Sequence, residues 1–192
     1  DLKRNQTLQP VIGVNYQDAM RYAEWFSKKY QVNARLPYES EWLYAASNGK
    51  QMLYPWGNLE KIANAYMANY HPYDEATFKL LPKQIDGFEE TAPVKSYPPN
   101  DLGIYDLSGN VLEWMLDSVI TDEDYKISNL PKIPREHIHF VKGGSWNFNQ
   151  YMMRLESKIY TDSRIQEGNS GIRLLIEIEK TSQVEKSQRI SE

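Results

Sequence analysis

Residues 103–114 read GIYDLSGNVLEW. Two short apolar runs, Gly103–Leu107 and Asn110–Met115, flank a Ser-Gly-Asn turn, which predicts two strands joined tightly. Asp106 and Glu113 stand on either side of that turn. Two such carboxylates can converge with main-chain carbonyls on a hard cation, because calcium takes roughly six to eight oxygens at flexible geometry. They can equally face water from an ordinary hairpin. Spacing alone leaves both readings open, since the alternating acids of the strict calcium loop are absent.

Upstream, Ala19, Tyr22, Ala23, Phe26 and Tyr30 recur at helical spacing behind Asn15, so a helix over 15–30 with these residues inward is expected. A second helix is expected from Pro37 to Asn48–Gly49, carrying Tyr38, Trp42, Leu43, Ala45 and Ala46 inward. Beyond Gly49 the pattern breaks into pieces punctuated by proline, glycine and asparagine, as in YPWGN at 54–58. Further strands are expected at His139–Lys142 and Ser170–Ile178. A domain so rich in loops must satisfy its backbone groups through side chains, turns or bound ions.

The bulk numbers narrow the function. At 192 residues the chain fits one domain with its own core, and a net charge of −4 with no basic stripe argues against nucleic-acid binding. No apolar run approaches the roughly 18 residues of a membrane span, and the first residues lack the apolar stretch of a leader. A leader or lipid anchor removed ahead of Asp1 would leave the same sequence. Without cysteine there is no disulfide, thiolate metal site or thiol nucleophile, and the redox compartment stays open. Fourteen tyrosines and five tryptophans suit irregular cores, protein interfaces and sugar-binding faces alike.

Other candidate groups are ordinary. Asn69 and Asp86 are oxygen donors in loops. His137 and His139 alternate as on a strand, a usable metal half-site without a recognisable third ligand. Glu39 and Glu41 lie two apart on a helix and point apart, a poor acid and base couple.

Together IGVNYQDAM (12–20), RLPYESEW (35–42), YPWGN, TAPVKSYPPNDLGIYDLSGNVLEW (91–114), VKGGSWN (141–147) and NSGIRLL (169–175) resemble the formylglycine-generating enzyme, or sulfatase-modifying factor, family. The resemblance runs from about Pro10 to Ile176 and implies an α+β, loop-rich fold with few short helices and strands, related to C-type lectins. It divides the chain into a lead at 1–9, the domain at 10–178 and a polar tail at 179–192. The family domain usually begins earlier, with a strand that pairs near Gly171–Arg173. If that strand is absent here, another chain must complete the sheet.

The resemblance implies two calcium sites, one at Asn69, Tyr70, Asp86 and Phe88, the other at Asp106, Leu107, Gly109, Val111 and Glu113. Tyr70, Phe88, Leu107, Gly109 and Val111 would offer main-chain carbonyls only. The two catalytic cysteines of the family's oxidising enzymes, which hold copper, align with Phe148 and Met153. A phenyl ring and a thioether supply no thiolate, and the three-histidine iron domain of a related branch is not visible either, so neither copper nor iron is expected. Cysteine-free relatives include cell-envelope proteins of Bacteroidota, among them lipoproteins of gliding motility and type IX secretion. The resulting expectation is a non-catalytic, calcium-stabilised binding or scaffold module, exported to the periplasm or outer membrane as part of an envelope protein complex. Two alternatives remain: a lectin-like glycan binder, and an enzyme of unknown chemistry using Trp146, Asn147, Asn149, Arg154 or Arg173. For Trp146 and Arg173 a structural role is the simpler expectation.

Overall fold

A computed structural model describes residues 8–58, 68–71, 73–74, 79–80, 87–117, 121–127 and 133–178. Helix α1, Tyr16–Tyr30, starts as the sequence dictates. The Asn15 side chain accepts the Asp18 N–H at 2.9 Å while Asp18 accepts the Asn15 N–H at 3.3 Å, a reciprocal cap. Its buried face differs from the expected one. Only Ala19 and Ala23 are buried, while Tyr22 and Tyr30 are exposed and Phe26 is half-buried. The cause is close docking on β1, Asn33–Arg35. Ser27 Oγ accepts the Ala34 N–H at 2.9 Å and donates to the Ala34 carbonyl at 3.0 Å, so only small side chains fit between helix and strand.

Helix α2 spans Glu39–Ser47, starting two residues later than Pro37. The Pro37 carbonyl accepts the Leu116 N–H at 2.8 Å instead of starting the helix, and Tyr38 lies extended before it. Tyr38 is 45% exposed, against the inward expectation, whereas Trp42 and Ala46 are buried.

Further strands are β2 (Tyr73–Asp74), β3 (Lys79–Leu80), β4 (Leu112–Trp114), β5 (Ile138–Lys142), β6 (Ile159–Asp162), β7 (Ser170–Gly171) and β8 (Leu175–Glu177), with a short helix α3 at Asp122–Ile127. The main sheet runs β6-β5-β4-β7, antiparallel except for β4 against β7. Strands β1 and β8 pair antiparallel, as do β2 and β3. All five positions of β5 are buried, which marks it as the sheet's centre.

Three strand expectations change. Gly103–Leu107 is a loop, because the Asn100 side chain accepts the N–H groups of Leu102 and Ile104 at 3.0 Å each and the carbonyls beyond are claimed by Arg173. Ser170–Ile178 divides at Ile172–Leu174 into β7 and β8, so Arg173 sits where the chain passes from one sheet to the other. His137 ends a turn of 3₁₀ helix, Arg135–His137, while His139 lies on β5 with its ring 3.9 Å from that of Tyr16, so the two do not form a strand pair.

Candidate functional site

The turn at 106–111 is the best-supported feature of the molecule. Arg173 Nε donates to both Glu113 oxygens at 3.0 and 2.9 Å, and its Nη2 donates to Glu113 Oε1 at 2.7 Å. The same Nη2 reaches the carbonyls of Tyr105 at 2.8 Å and Asp106 at 3.1 Å. Trp42 Nε1 donates to Glu113 Oε2 at 2.7 Å, so the buried Glu113 carboxylate is saturated by an indole and a guanidinium. Burial works against the Arg173 charge, and the Glu113 carboxylate outweighs it, holding the guanidinium above its ordinary pKa. This assigns Arg173 the structural role expected of it.

Asp106 is held differently. Its Oδ2 accepts the Lys95 N–H at 2.7 Å, while Oδ1 is buried with no hydrogen-bond donor. Burial raises its pKa, partly offset by the Lys95 N–H and by Arg173. Asp106, Val111, Glu113 and Arg173 line one cavity of about 380 Å³, walled by Pro10, Val94 and Ile172.

Across the turn, Asn69 is fully buried. Its carbonyl accepts the Asn110 N–H at 2.8 Å and its Nδ2 donates to the Glu90 carbonyl at 2.7 Å, yet its Oδ1 has no donor. Tyr70 is buried and Phe88 half-buried, while Asp86 lies outside the described residues. Leu107, Gly109 and Val111 are all buried in the turn. Asn69 Oδ1, of the first implied site, and Asp106 Oδ1, of the second, are buried acceptors with no donor, the kind of oxygen that a calcium ion takes. At Glu113 the fit is incomplete, because Arg173 and Trp42 already occupy its oxygens.

The neighbouring segment carries Phe148 and Met153. Phe148 packs against two of the three core clusters, and Met153 is fully buried with Tyr54, Ala68 and Tyr70. Gly144, at φ +69°, leaves the space that Met153 fills, since a Cβ there would lie 2.3 Å from Met153 Cε. The His71 N–H donates to the Phe148 carbonyl at 2.8 Å and the Asn69 carbonyl accepts the Asn110 N–H, so the segment of Asn69 runs between the 106–111 turn and this segment. Of the residues an enzyme would use, Asn149 accepts the Tyr151 N–H at 3.1 Å as a helix cap, and Asn147 accepts from Ser145 at 2.6 Å and from Asn169 at 3.0 Å. Arg154 lies 5.1 Å from the Tyr151 ring and 3.8 Å from Glu156, and the Trp146 N–H donates to the Asn110 carbonyl at 3.0 Å. Ser145 donates to an amide oxygen rather than to a base, so it lacks the activation a nucleophile needs.

Lys142 escaped sequence reasoning. A lysine ahead of two glycines reads as surface, yet its side chain is fully buried. It is the cross-strand partner of Glu113, but that carboxylate takes the Trp42 indole N–H, and the Lys142 ammonium lies 5.6 Å from the Trp42 ring. Its ammonium turns instead to the Leu155 carbonyl at 2.6 Å and to Glu39 at 3.4 Å. Burial pushes its pKa down from 10.5 to about 8, with Glu39 opposing. Over the window from about 8 to 10.5 the unfolded chain binds the extra proton, so this group makes stability rise with pH, by about 3 kcal/mol in all. The Lys142 Cε resonance should titrate near pH 8 in NMR; titration at the ordinary lysine value would contradict its burial.

Residues 2–178 match the sulfatase-modifying factor enzyme 1-like domain. The chain is 37% identical over 139 residues to the formylglycine-generating enzyme of Mus musculus, covering 71% of this chain and 35% of that protein. It is 35% identical over 139 residues to the inactive C-alpha-formylglycine-generating enzyme 2 of Bos taurus, covering 71% of this chain and 38% of that protein. The chain thus spans little more than a third of the length of these curated relatives. PvdO from Pseudomonas aeruginosa superposes with a TM-score of 0.68 at 26% identity, covering 91% of this chain and 64% of that one. Treponema denticola variable protein 1 gives the same TM-score of 0.68 at 21% identity, covering 91% of this chain and 73% of that one, a likeness of fold alone. By its matched length, its fold and the phrases around the 106–113 turn, the chain belongs to the sulfatase-modifying factor enzyme 1-like domain family.

Proposed function

We propose that this chain is a non-catalytic, calcium-stabilised binding or scaffold module of a bacterial cell-envelope complex, exported and periplasmic or outer-membrane associated. A lipoprotein of the gliding or type IX secretion machinery is the specific form of that reading. The observation that carries the non-catalytic part is the packing of Phe148 and Met153 into the core at the two positions aligned with the family's catalytic cysteines. Neither side chain can form a mixed disulfide or give copper a thiolate. The calcium part is supported by Asn69 Oδ1 and Asp106 Oδ1, the buried acceptors on either side of the turn.

Incubating the protein with a cysteine-containing sulfatase peptide, with copper and oxygen supplied, should yield no formylglycine by mass spectrometry. Its detection would overturn the non-catalytic reading. Calcium binding to the native state alone stabilises by about 2.7 kcal/mol at a hundredfold excess over Kd. Chelation should therefore lower the melting temperature by about 5–10 °C for a domain of this size. Asn69→Ala should remove at least half of that response, and a melting curve indifferent to chelator would end the calcium proposal.

A further inference from the structure

The side of α1 turned away from β1 carries aromatic rings in contact with one another. Tyr22 and Trp25 are 5.4 Å apart, Tyr22 and Phe26 6.2 Å, Trp25 and Tyr30 6.4 Å, and Phe26 and Tyr30 4.5 Å between ring centroids. Tyr22, Trp25 and Tyr30 are nevertheless 43%, 47% and 53% exposed. Lys29 lies over this cluster, its Nζ 4.6 Å from the Trp25 ring and 5.3 Å from the Tyr30 ring. The other α1 cations are neutralised nearby, Arg21 by Asp18 at 2.9 Å and Lys28 by Glu24 at 2.6 Å. Among the described residues no carboxylate pairs with Lys29, so one positive charge is presented above a ready-made aromatic surface.

We infer that this face binds an anionic saccharide, a uronate or sulfated chain of a few sugars. The C–H faces of pyranose rings stack on exposed indole and phenol rings, whose negative π-faces attract polarised C–H groups. The sugar's carboxylate or sulfate then takes a charge-assisted hydrogen bond from Lys29, while the Tyr22 and Tyr30 hydroxyls remain free to meet sugar hydroxyls. Size decides against a folded partner. Three rings of about 200 Å² each, half exposed, offer about 300 Å², well short of the roughly 800 Å² per side of a stable protein interface or dimer. The surface uses none of the calcium-site residues, so it stands whether or not calcium binds.

The test is calorimetric titration of the intact chain at low ionic strength with a heparin-derived tetrasaccharide, with chitotetraose as neutral comparator and phosphatidylglycerol vesicles as an anionic lipid surface. Saturable binding of the heparin fragment is expected, at least about fivefold tighter than chitotetraose. Trp25→Ala should weaken it about tenfold, and Lys29→Gln should abolish the preference for the charged sugar. Neither residue belongs to the core, so each variant should keep a cooperative melt, Lys29→Gln at the parent's temperature and Trp25→Ala within several degrees of it, since only its ring contacts to Tyr22 and Tyr30 are lost. The inference is overturned if the heparin fragment does not saturate, if Trp25→Ala binds it unchanged, if chitotetraose binds equally well, or if only the vesicles bind.

Discussion

Arg173→Met should lower the unfolding free energy by about 3–5 kcal/mol, because it strips the partner from a buried carboxylate while leaving the charge in place. Glu113 is 4% exposed, and its remaining donor would be the Trp42 indole at 2.7 Å. The carbonyls of Tyr105 and Asp106 would lose their donor in the same substitution. Arg173 is therefore the pin of two segments: it holds the 103–106 loop, which has no ladder, against the passage between β7 and β8. For a domain of this size the loss corresponds to a fall in melting temperature of about 6–20 °C. The double variant Glu113→Gln/Arg173→Met should recover much of it, since the uncompensated charge is gone. Urea unfolding of the single and double variants measures the coupling, and strict additivity would mean that the pair is decorative. If calcium occupies the turn as proposed, Arg173→Met should also become more calcium-responsive than the parent, because the cation then replaces the guanidinium at Glu113.

How much of this was legible depends on whether a residue's role is local. The Asn15 cap, α1, β5 and the turn at Ser108–Asn110 rest on neighbours within a few positions, and the sequence places each of them within a residue or two. The aromatic face of α1 was misread, since helical periodicity cannot tell whether alanines or aromatics face the core when both recur at i, i+3 and i+4. The answer lay in Ser27 and Ala34, seven residues apart, whose paired hydrogen bonds bring the helix too near for large rings. The loop at 103–107 was read as a strand because its apolar alternation is genuine. Its backbone partners, however, are Asn100 and a guanidinium far along the chain rather than a neighbouring strand. Lys142 was missed for a related reason: its burial depends on Glu39 and Trp42 of α2 and on Leu155 converging from two distant segments.

Gly109→Ala should be more damaging than its conformation alone would suggest. Gly103 and Gly109 have similar backbones, at φ +74° and +81°, and in both an added Cβ is disfavoured by about 1 kcal/mol. They differ in their surroundings. Nothing lies within 4 Å of a Cβ built at Gly103, whereas at Gly109 it would meet the Asn69 carbonyl oxygen at 2.4 Å and the Asn69 nitrogen and carbonyl carbon at 3.0 Å. These are backbone atoms of a segment fixed by hydrogen bonds on both sides, from Asn110 to Asn69 and from His71 to Phe148, so no flexible side chain can move aside. Gly103→Ala should therefore lose only about 1 kcal/mol, and Gly109→Ala about 3 kcal/mol or more, in chemical denaturation. Gly144 falls between them, because its added Cβ would meet the flexible but buried Met153 side chain together with the Met152 carbonyl oxygen at 2.9 Å. Displacing Asn69 also moves its Oδ1 out of the first proposed calcium site, so the Gly109 variant, unlike the Gly103 variant, should lose at least half of its thermal response to calcium. Equal losses at the two glycines would show that the segment of Asn69 yields freely. The turn at 106–111 would then not be the rigid support that the calcium site proposed at Asn69 requires.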